Sequence, residues 1–130
     1  MNVALICIGL LGLLLFVLGL MVSLGRTRGE VSIGHSTDPT DGLHKLVRAH
    51  GNTAEFTAAL ALLIWIVGSL DPSAWDSFFM IGATVSRYLI VIGMLMSTSL
   101  ARPQPLRVVG ALGTYGFGVA LSISVIFQAL

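Results

Sequence analysis

Four apolar segments, each about as long as a bilayer is thick, make up most of this 130-residue chain. A helix needs roughly 20 apolar residues to cross the hydrocarbon core of a membrane. The segments predict transmembrane helices over about residues 3–24, 42–70, 74–100 and 106–128. We therefore expect an all-α integral membrane protein that crosses the lipid bilayer several times and folds as one four-helix bundle domain over residues 1–130.

The composition supports the membrane class. Hydrophobic residues make up 55% of the chain and charged residues 10%, whereas a soluble domain carries about 25% charged residues. The formal net charge of +1 is too small and too dispersed for a nucleic-acid surface, so we expect no nucleic-acid partner. The single cysteine, Cys7, lies inside the first apolar segment and is interpreted as a buried small side chain.

Basic residues flank two of the three connections between the segments. The second connection carries only Asp71 and Asp76, and the other two carry the basic residues: Arg26, Arg28, Lys45, Arg48, Arg102 and Arg107. Short connections favour antiparallel neighbours and hence up-and-down topology. Because positive charge marks the cytoplasmic side, we expect connections one and three in the cytoplasm and both termini opposite. The compact size and the lack of an endoplasmic-reticulum retrieval signal favour a bacterial inner membrane.

A polar stripe opens the second segment. Arg48, Asn52 and Glu55 follow one another at i, i+4 and i+7, and His44 lies one turn earlier. The four side chains therefore share one face of a helix. Ionisable groups at the edge of the hydrocarbon region cost free energy, so they are expected to have a hydrogen-bonding or charged partner or a functional role. The stripe is either part of a binding site or an interfacial turn whose charges contact water.

Two further arginines lie where a charge needs an explanation. Arg87 is near the middle of the third segment, where an isolated arginine costs at least about 2.5–3.5 kcal/mol. Glu55 is the acidic residue at comparable depth, so we predict a Glu55–Arg87 ion pair, in a site or as a purely structural contact. Arg107 opens the fourth segment, where a guanidinium opposes the helix dipole but adds to an anion site. The competing interpretation of Arg107, and more strongly of Arg102, is an ordinary positive-inside anchor.

Small residues recur at spacings that permit close approach of helices in lipid. We expect most of them to pack inside the bundle and the remainder to serve an oligomer interface. Four thin helices enclose little interior, so a polar cavity is easier to build between subunits. The residues concerned are Gly9, Gly12, Gly19, Gly82, Ser86, Gly93, Ser97, Gly110, Gly113 and Gly116.

Residues 47–56, VRAHGNTAEF, resemble the helix-two signature of the MAPEG family, the membrane-associated proteins in eicosanoid and glutathione metabolism. That signature is an arginine, an asparagine four residues on and a glutamate three beyond it, here Arg48, Asn52 and Glu55. The four-span layout, the central Arg87 and the Pro-Leu-Arg opening of the fourth segment extend the resemblance over nearly the whole chain.

The resemblance implies a homotrimer that binds glutathione as a thiol co-substrate, without a metal, in clefts between subunits. Carried over by position, Arg48, Asn52 and Glu55 would hold glutathione, and Arg87 would line the floor of the site. Arg107 matches the arginine credited with stabilising the glutathione thiolate, which is the catalytic role. The remaining candidate glutathione contacts lie toward the first connection: Arg26, Arg28 and His44.

The activity implied is that of a membrane-bound, glutathione-dependent transferase or peroxidase that conjugates or reduces lipophilic small molecules. The chain departs from the family pattern at three positions. Phe56 replaces the usual tyrosine after the glutamate, and Ile90 and Met94 lie where some relatives carry aromatic or imidazole groups. A non-catalytic scaffold or lipid-binding protein of the same fold is the alternative. A small exporter is less favoured, because the first segment contains no acidic residue.

Overall fold

The computed structural model describes residues 2–130 and, over that range, consists of four α-helices without a strand. The helices are Asn2–Arg28 (α1), Gly42–Ser69 (α2), Ala74–Met96 (α3) and Pro105–Gln128 (α4). Each of them is long and apolar enough to cross a membrane. The predicted class, an all-α integral membrane protein with several spans, is confirmed.

Side-chain caps determine where the helices begin. The Asp41 carboxylate accepts the backbone N–H of His44 at 2.7 Å and caps α2. A capping box opens α3 at Ser73. At α4, the Gln104 side chain accepts the N–H of Arg107 at 2.9 Å. These caps satisfy helix N–H groups that lipid cannot hydrogen-bond.

Two helices end elsewhere than predicted. Helix α1 continues past residue 24 to Arg28, since basic side chains in the last turn interact favourably with the helix dipole. Helix α3 ends at Met96 instead of residue 100. There Ser97 takes an extended backbone conformation, with ψ at 142°, and the Leu100 N–H donates to the Pro39 carbonyl at 2.9 Å. The chain therefore leaves α3 early and hydrogen-bonds to the first connection.

Apolar side chains from all four helices form the core. Its main cluster contains at least one fully buried residue from each helix, among them Leu11, Ile64, Met80 and Leu121. A second cluster, which includes Leu18, joins α1, α2 and α3 nearer the first connection. Packing of these clusters, together with small-residue contacts, holds helices together in lipid.

Glycines bring α3 and α4 into backbone contact. A Cβ atom added at Gly110 would lie 2.7 Å from the Ser86 carbonyl oxygen and from the Ile90 nitrogen. The predicted intramolecular role of small residues is confirmed at four glycines of this pair of helices: Gly82, Gly93, Gly110 and Gly113. By contrast, a Cβ atom at Gly9, Gly12 or Gly116 would meet no other described atom within 4 Å, so these three leave open surface.

Replacing Gly110 with Ala is expected to destabilise the protein by about 1–3 kcal/mol, because the new methyl group would overlap the α3 backbone. The matched change Gly116→Ala puts a methyl group into space that is open among the described atoms and adds a better helix former. Thermal unfolding followed by circular dichroism in one detergent measures both. An unchanged melting temperature for Gly110→Ala would contradict the close contact between α3 and α4.

Candidate functional site

Arg87 of α3 is buried completely, with a relative exposure of 0%. Its Nη2 donates to two oxygens of Asn52 on α2, the backbone carbonyl at 2.8 Å and Oδ1 at 2.7 Å. Hydrogen bonds to a charged group are stronger than those between neutral groups. This pair of bonds joins the middle of α3 to α2 and fixes the position of the guanidinium.

The predicted ion pair between Glu55 and Arg87 is wrong. Both hydrogen bonds that Arg87 makes within residues 2–130 go to Asn52, and Glu55 is exposed on α2. Asn52 and Glu55 are about 60° apart around α2. When α2 is rotated so that Asn52 faces Arg87, Glu55 therefore points away from Arg87. An amide also supplies acceptor oxygens without the cost of burying a second charge.

An aromatic ring supports the guanidinium from a third direction. The Cζ atom of Arg87 lies 4.9 Å from the centroid of the Phe56 ring, which is the geometry of a cation–π contact. Phe56 in turn packs edge-to-face against Tyr115 of α4, with 5.8 Å between ring centroids. The residue that replaces the usual tyrosine therefore holds Arg87 with its ring.

Arg87 retains two free donors beside a cleft. Its Nε and Nη1 are buried and have no hydrogen-bond partner in the described part of the chain. A cleft of about 150 Å³ opens between α2, α3 and α4, and its lining contains no acidic residue within residues 2–130. Buried, unpaired donors cost free energy, so they favour a bound anion or polar ligand. The main lining residues are Asn52, Phe56, Arg87, Arg107, Thr114 and Tyr115.

Arg107 adds a second positive charge to the same cleft. It lies in the first turn of α4, and its Nη1 donates to the Leu100 carbonyl at 3.1 Å. Gly93 permits this approach, because a Cβ atom there would lie 2.6 Å from the Arg107 nitrogen. The backbone N–H of Arg107 is bonded to the Gln104 side chain, and Arg107 is one of the residues that line the cleft.

The comparisons with known proteins bear on this arrangement. The model of the MAPEG family matches residues 4–127, almost the full length of the chain. The chain belongs to the MAPEG family. No curated protein and no solved structure matches it. Membership assigns the protein to a membrane family of eicosanoid and glutathione metabolism.

In this MAPEG protein the cleft unites three of the eight residues that the sequence singled out: Asn52, Arg87 and Arg107. The other five lie outside its lining. Arg48 and Glu55 are exposed on α2, and Arg28 is exposed at the end of α1. Arg26 lines a separate open recess of about 440 Å³, and His44 contacts His35 in the first connection.

Thr114 and Tyr115 are the polar cleft residues that sequence reasoning missed. They follow Arg107 by seven and eight residues, and Ala111 lies between them and Arg107 at the four-residue step. Residues at i, i+4, i+7 and i+8 share one face of a helix. The same periodicity that identified the stripe on α2 therefore also marks this face of the MAPEG α4 helix.

Proposed function

We propose that this protein is a glutathione-dependent transferase or peroxidase whose cleft between α2, α3 and α4 binds reduced glutathione. The observation that carries the proposal is a cleft lined by Arg107 and by buried Arg87, two of whose nitrogens have no hydrogen-bond partner, and without acidic lining residues in the described chain. Glutathione is an anion with carboxylates and a thiol, which are groups that guanidinium donors bind. Membership in the MAPEG family agrees with that ligand class.

Arg107 is the residue proposed to activate the thiol. A free thiol with a pKa of about 8.5 is mostly protonated at neutral pH, and a neighbouring guanidinium favours the thiolate. The thiolate then attacks the electrophile, so catalysis arises from proximity and from charge stabilisation. The second substrate is a lipophilic electrophile, because Ile90 and Met94 give the cleft an apolar wall.

The site is proposed to be completed by a second copy of the chain, in a homotrimer. One subunit offers about 150 Å³, whereas small-molecule sites typically occupy about 300–1,000 Å³. Arg48 and Glu55 are exposed on α2 within one subunit, and lipid exposure of such groups is costly. A neighbouring subunit would cover them, with open glycines such as Gly12 and Gly116 permitting close helix contact.

The proposed arrangement in the membrane is up-and-down, with the first and third connections in the cytoplasm of a bacterial cell. The hydrogen bond from Leu100 to Pro39 joins these two connections, which supports a common side. Both carry basic residues, whereas Asp71 and Asp76 lie on either side of Pro72 at the second connection. Arg26, Arg28 and His44 would then line the cytoplasmic approach to the site, where glutathione arrives.

Glutathione binding and turnover test the proposal together. In detergent micelles, reduced glutathione is expected to raise the melting temperature of the wild type and to react with an aromatic halide at a rate that depends on the protein. At about 100 times the dissociation constant, a ligand adds about 2.7 kcal/mol of stability. The same protein after heat inactivation is the control for the spontaneous reaction. If glutathione neither stabilised the protein nor reacted faster in its presence, the result would support the non-catalytic scaffold instead.

A further inference from the structure

Two histidines and a carbonyl converge in the connection between α1 and α2. The Nδ1 atoms of His35 and His44 lie 3.1 Å apart. The carbonyl oxygen of Ser36 lies 2.6 Å from the first of these nitrogens and 2.9 Å from the second. The three atoms therefore form a small triangle that joins the connection to the first turn of α2, apart from the cleft lining.

Protons alone cannot satisfy this triangle. The carbonyl oxygen can only accept hydrogen bonds, and a neutral imidazole Nδ1 either donates or accepts. If both nitrogens carry a proton, both bond to the oxygen but their N–H groups face each other at 3.1 Å. If only one carries a proton, the lone pair of the other is directed at the carbonyl oxygen. One contact in three is repulsive in either case.

We propose that these three atoms bind a divalent transition-metal ion, with His35 Nδ1, His44 Nδ1 and the Ser36 carbonyl oxygen as ligands. A cation bound between the three atoms is attracted to each of them, and neutral imidazole is the commonest metal ligand in proteins. With metal–ligand distances of about 2.1 Å, neighbouring ligands of an octahedral ion lie about 3.0 Å apart. The observed separations of 2.6, 2.9 and 3.1 Å match one face of that octahedron.

Carboxylates near the triangle favour a cation. Asp41 accepts the backbone N–H of His44 at 2.7 Å, which brings its charge to the same turn. Asp38 lies two residues after Ser36, and its carboxylate accepts the Thr40 N–H at 2.8 Å and the Thr40 hydroxyl at 2.7 Å.

The backbone ligand explains why side chains alone do not reveal this site. No group of three or more His, Cys, Asp or Glu side chains in residues 2–130 is arranged to hold a metal. Two imidazoles and one carbonyl leave the remaining coordination positions to water, and imidazole nitrogen selects nickel, copper or zinc over magnesium. Because His35 and His44 are nine residues apart, the ion would tie the connection to α2. This inference does not depend on glutathione binding.

Calorimetric titration of Ni²⁺ into the full-length, tag-free protein in detergent tests the site. At about pH 7.5, where imidazole is neutral, we expect one Ni²⁺ per subunit and no heat from Mg²⁺. His35→Ala and His44→Ala should each weaken Ni²⁺ binding by more than about tenfold. The cap of α2 uses the backbone of His44, so His44→Ala keeps that helix start.

The third histidine of the chain is the matched control. His50 packs next to Gly19 of α1 and takes no part in the triangle, so His50→Ala should bind Ni²⁺ like the wild type. The proposal is overturned if Ni²⁺ affinity is unchanged in both His35→Ala and His44→Ala, or if His50→Ala alone removes it.

Discussion

Replacing Arg107 with Ala is expected to lower kcat/KM for glutathione conjugation by about 100-fold. Removal of one preorganised donor to a developing anion typically costs a factor of about 100–1,000. Arg107 lines the cleft, and its Nη1 donates to the Leu100 carbonyl at 3.1 Å. Without this charge the thiol regains an ordinary pKa, and the fraction of thiolate at neutral pH falls. Initial rates with an aromatic halide measure the effect.

Arg102→Ala is the matched control for that experiment. Arg102 lies in the connection between α3 and α4 and Arg107 in the first turn of α4, and each substitution removes one positive charge. Arg102 is exposed and does not line the cleft, so its loss should leave kcat/KM near the wild-type value. If the two variants lost activity equally, Arg107 would be acting as a surface charge and the thiolate role would be wrong. Arg107→Lys should retain part of the activity, since it keeps the charge but loses the planar fork.

Replacing Arg87 with Met is expected to abolish stabilisation by glutathione while the protein still folds. An apolar side chain of similar length fills the space and removes a buried charge, and the loss of the hydrogen bond to Asn52 Oδ1 costs about 1–3 kcal/mol of stability. Ligand binding, however, loses the two donors that are free in the described chain, Nε and Nη1. The increase in melting temperature with reduced glutathione, measured for variant and wild type under one set of conditions, gives the result.

Tyr88→Phe is the control that separates loss of glutathione binding from general destabilisation of α3. The Tyr88 hydroxyl donates to the Leu10 carbonyl at 2.9 Å on the side of α3 that faces α1. Its removal should cost about 1 kcal/mol of stability, because one hydrogen bond between helices is lost. The stabilisation by glutathione should be unchanged in Tyr88→Phe. If Arg87→Met retained the full glutathione shift, the buried guanidinium would not be part of the binding site.

The helices were predictable because hydrocarbon imposes one dominant requirement, a long apolar segment whose backbone bonds to itself. The residues at which the helices end were less predictable. The early end of α3 at Met96 depends on a hydrogen bond from Leu100 to Pro39, a residue about sixty positions away in the chain. Such a contact leaves no local signal in the sequence, whereas the cap at Asp41 does.

The sequence predicted some residues of the candidate site better than it predicted the contacts between them. The cost of a charge in hydrocarbon singled out Arg87 correctly, but the partner depends on the rotation of α2, which spacing alone does not determine. In the observed rotation of α2, Asn52 accepts the hydrogen bonds of Arg87, whereas Glu55 is exposed. Tyr115 was missed because only charged residues were followed along α4, although its spacing from Arg107 marks the same face.

Close packing of α3 on α4 links the fold to the chemistry. Gly93 and Gly110 allow the two helices to meet at the backbone, and this approach brings Arg107 to the cleft that Arg87 also lines. A bulkier side chain at Gly93 would push the Arg107 backbone away, since its Cβ atom would lie 2.6 Å from that nitrogen. The stability effect expected for Gly110→Ala and the catalytic effect expected for Arg107→Ala therefore share one structural cause.

Ultraviolet absorbance of the bound thiolate tests the central claim most directly, because it reports the ionisation of glutathione in the cleft without requiring turnover. When glutathione is titrated into the wild-type protein at neutral pH, the account predicts a saturable thiolate signal well above that of free glutathione, and none in Arg107→Ala. A wild-type protein that binds glutathione but leaves it as the thiol, or an equal thiolate signal in Arg107→Ala, would contradict the account.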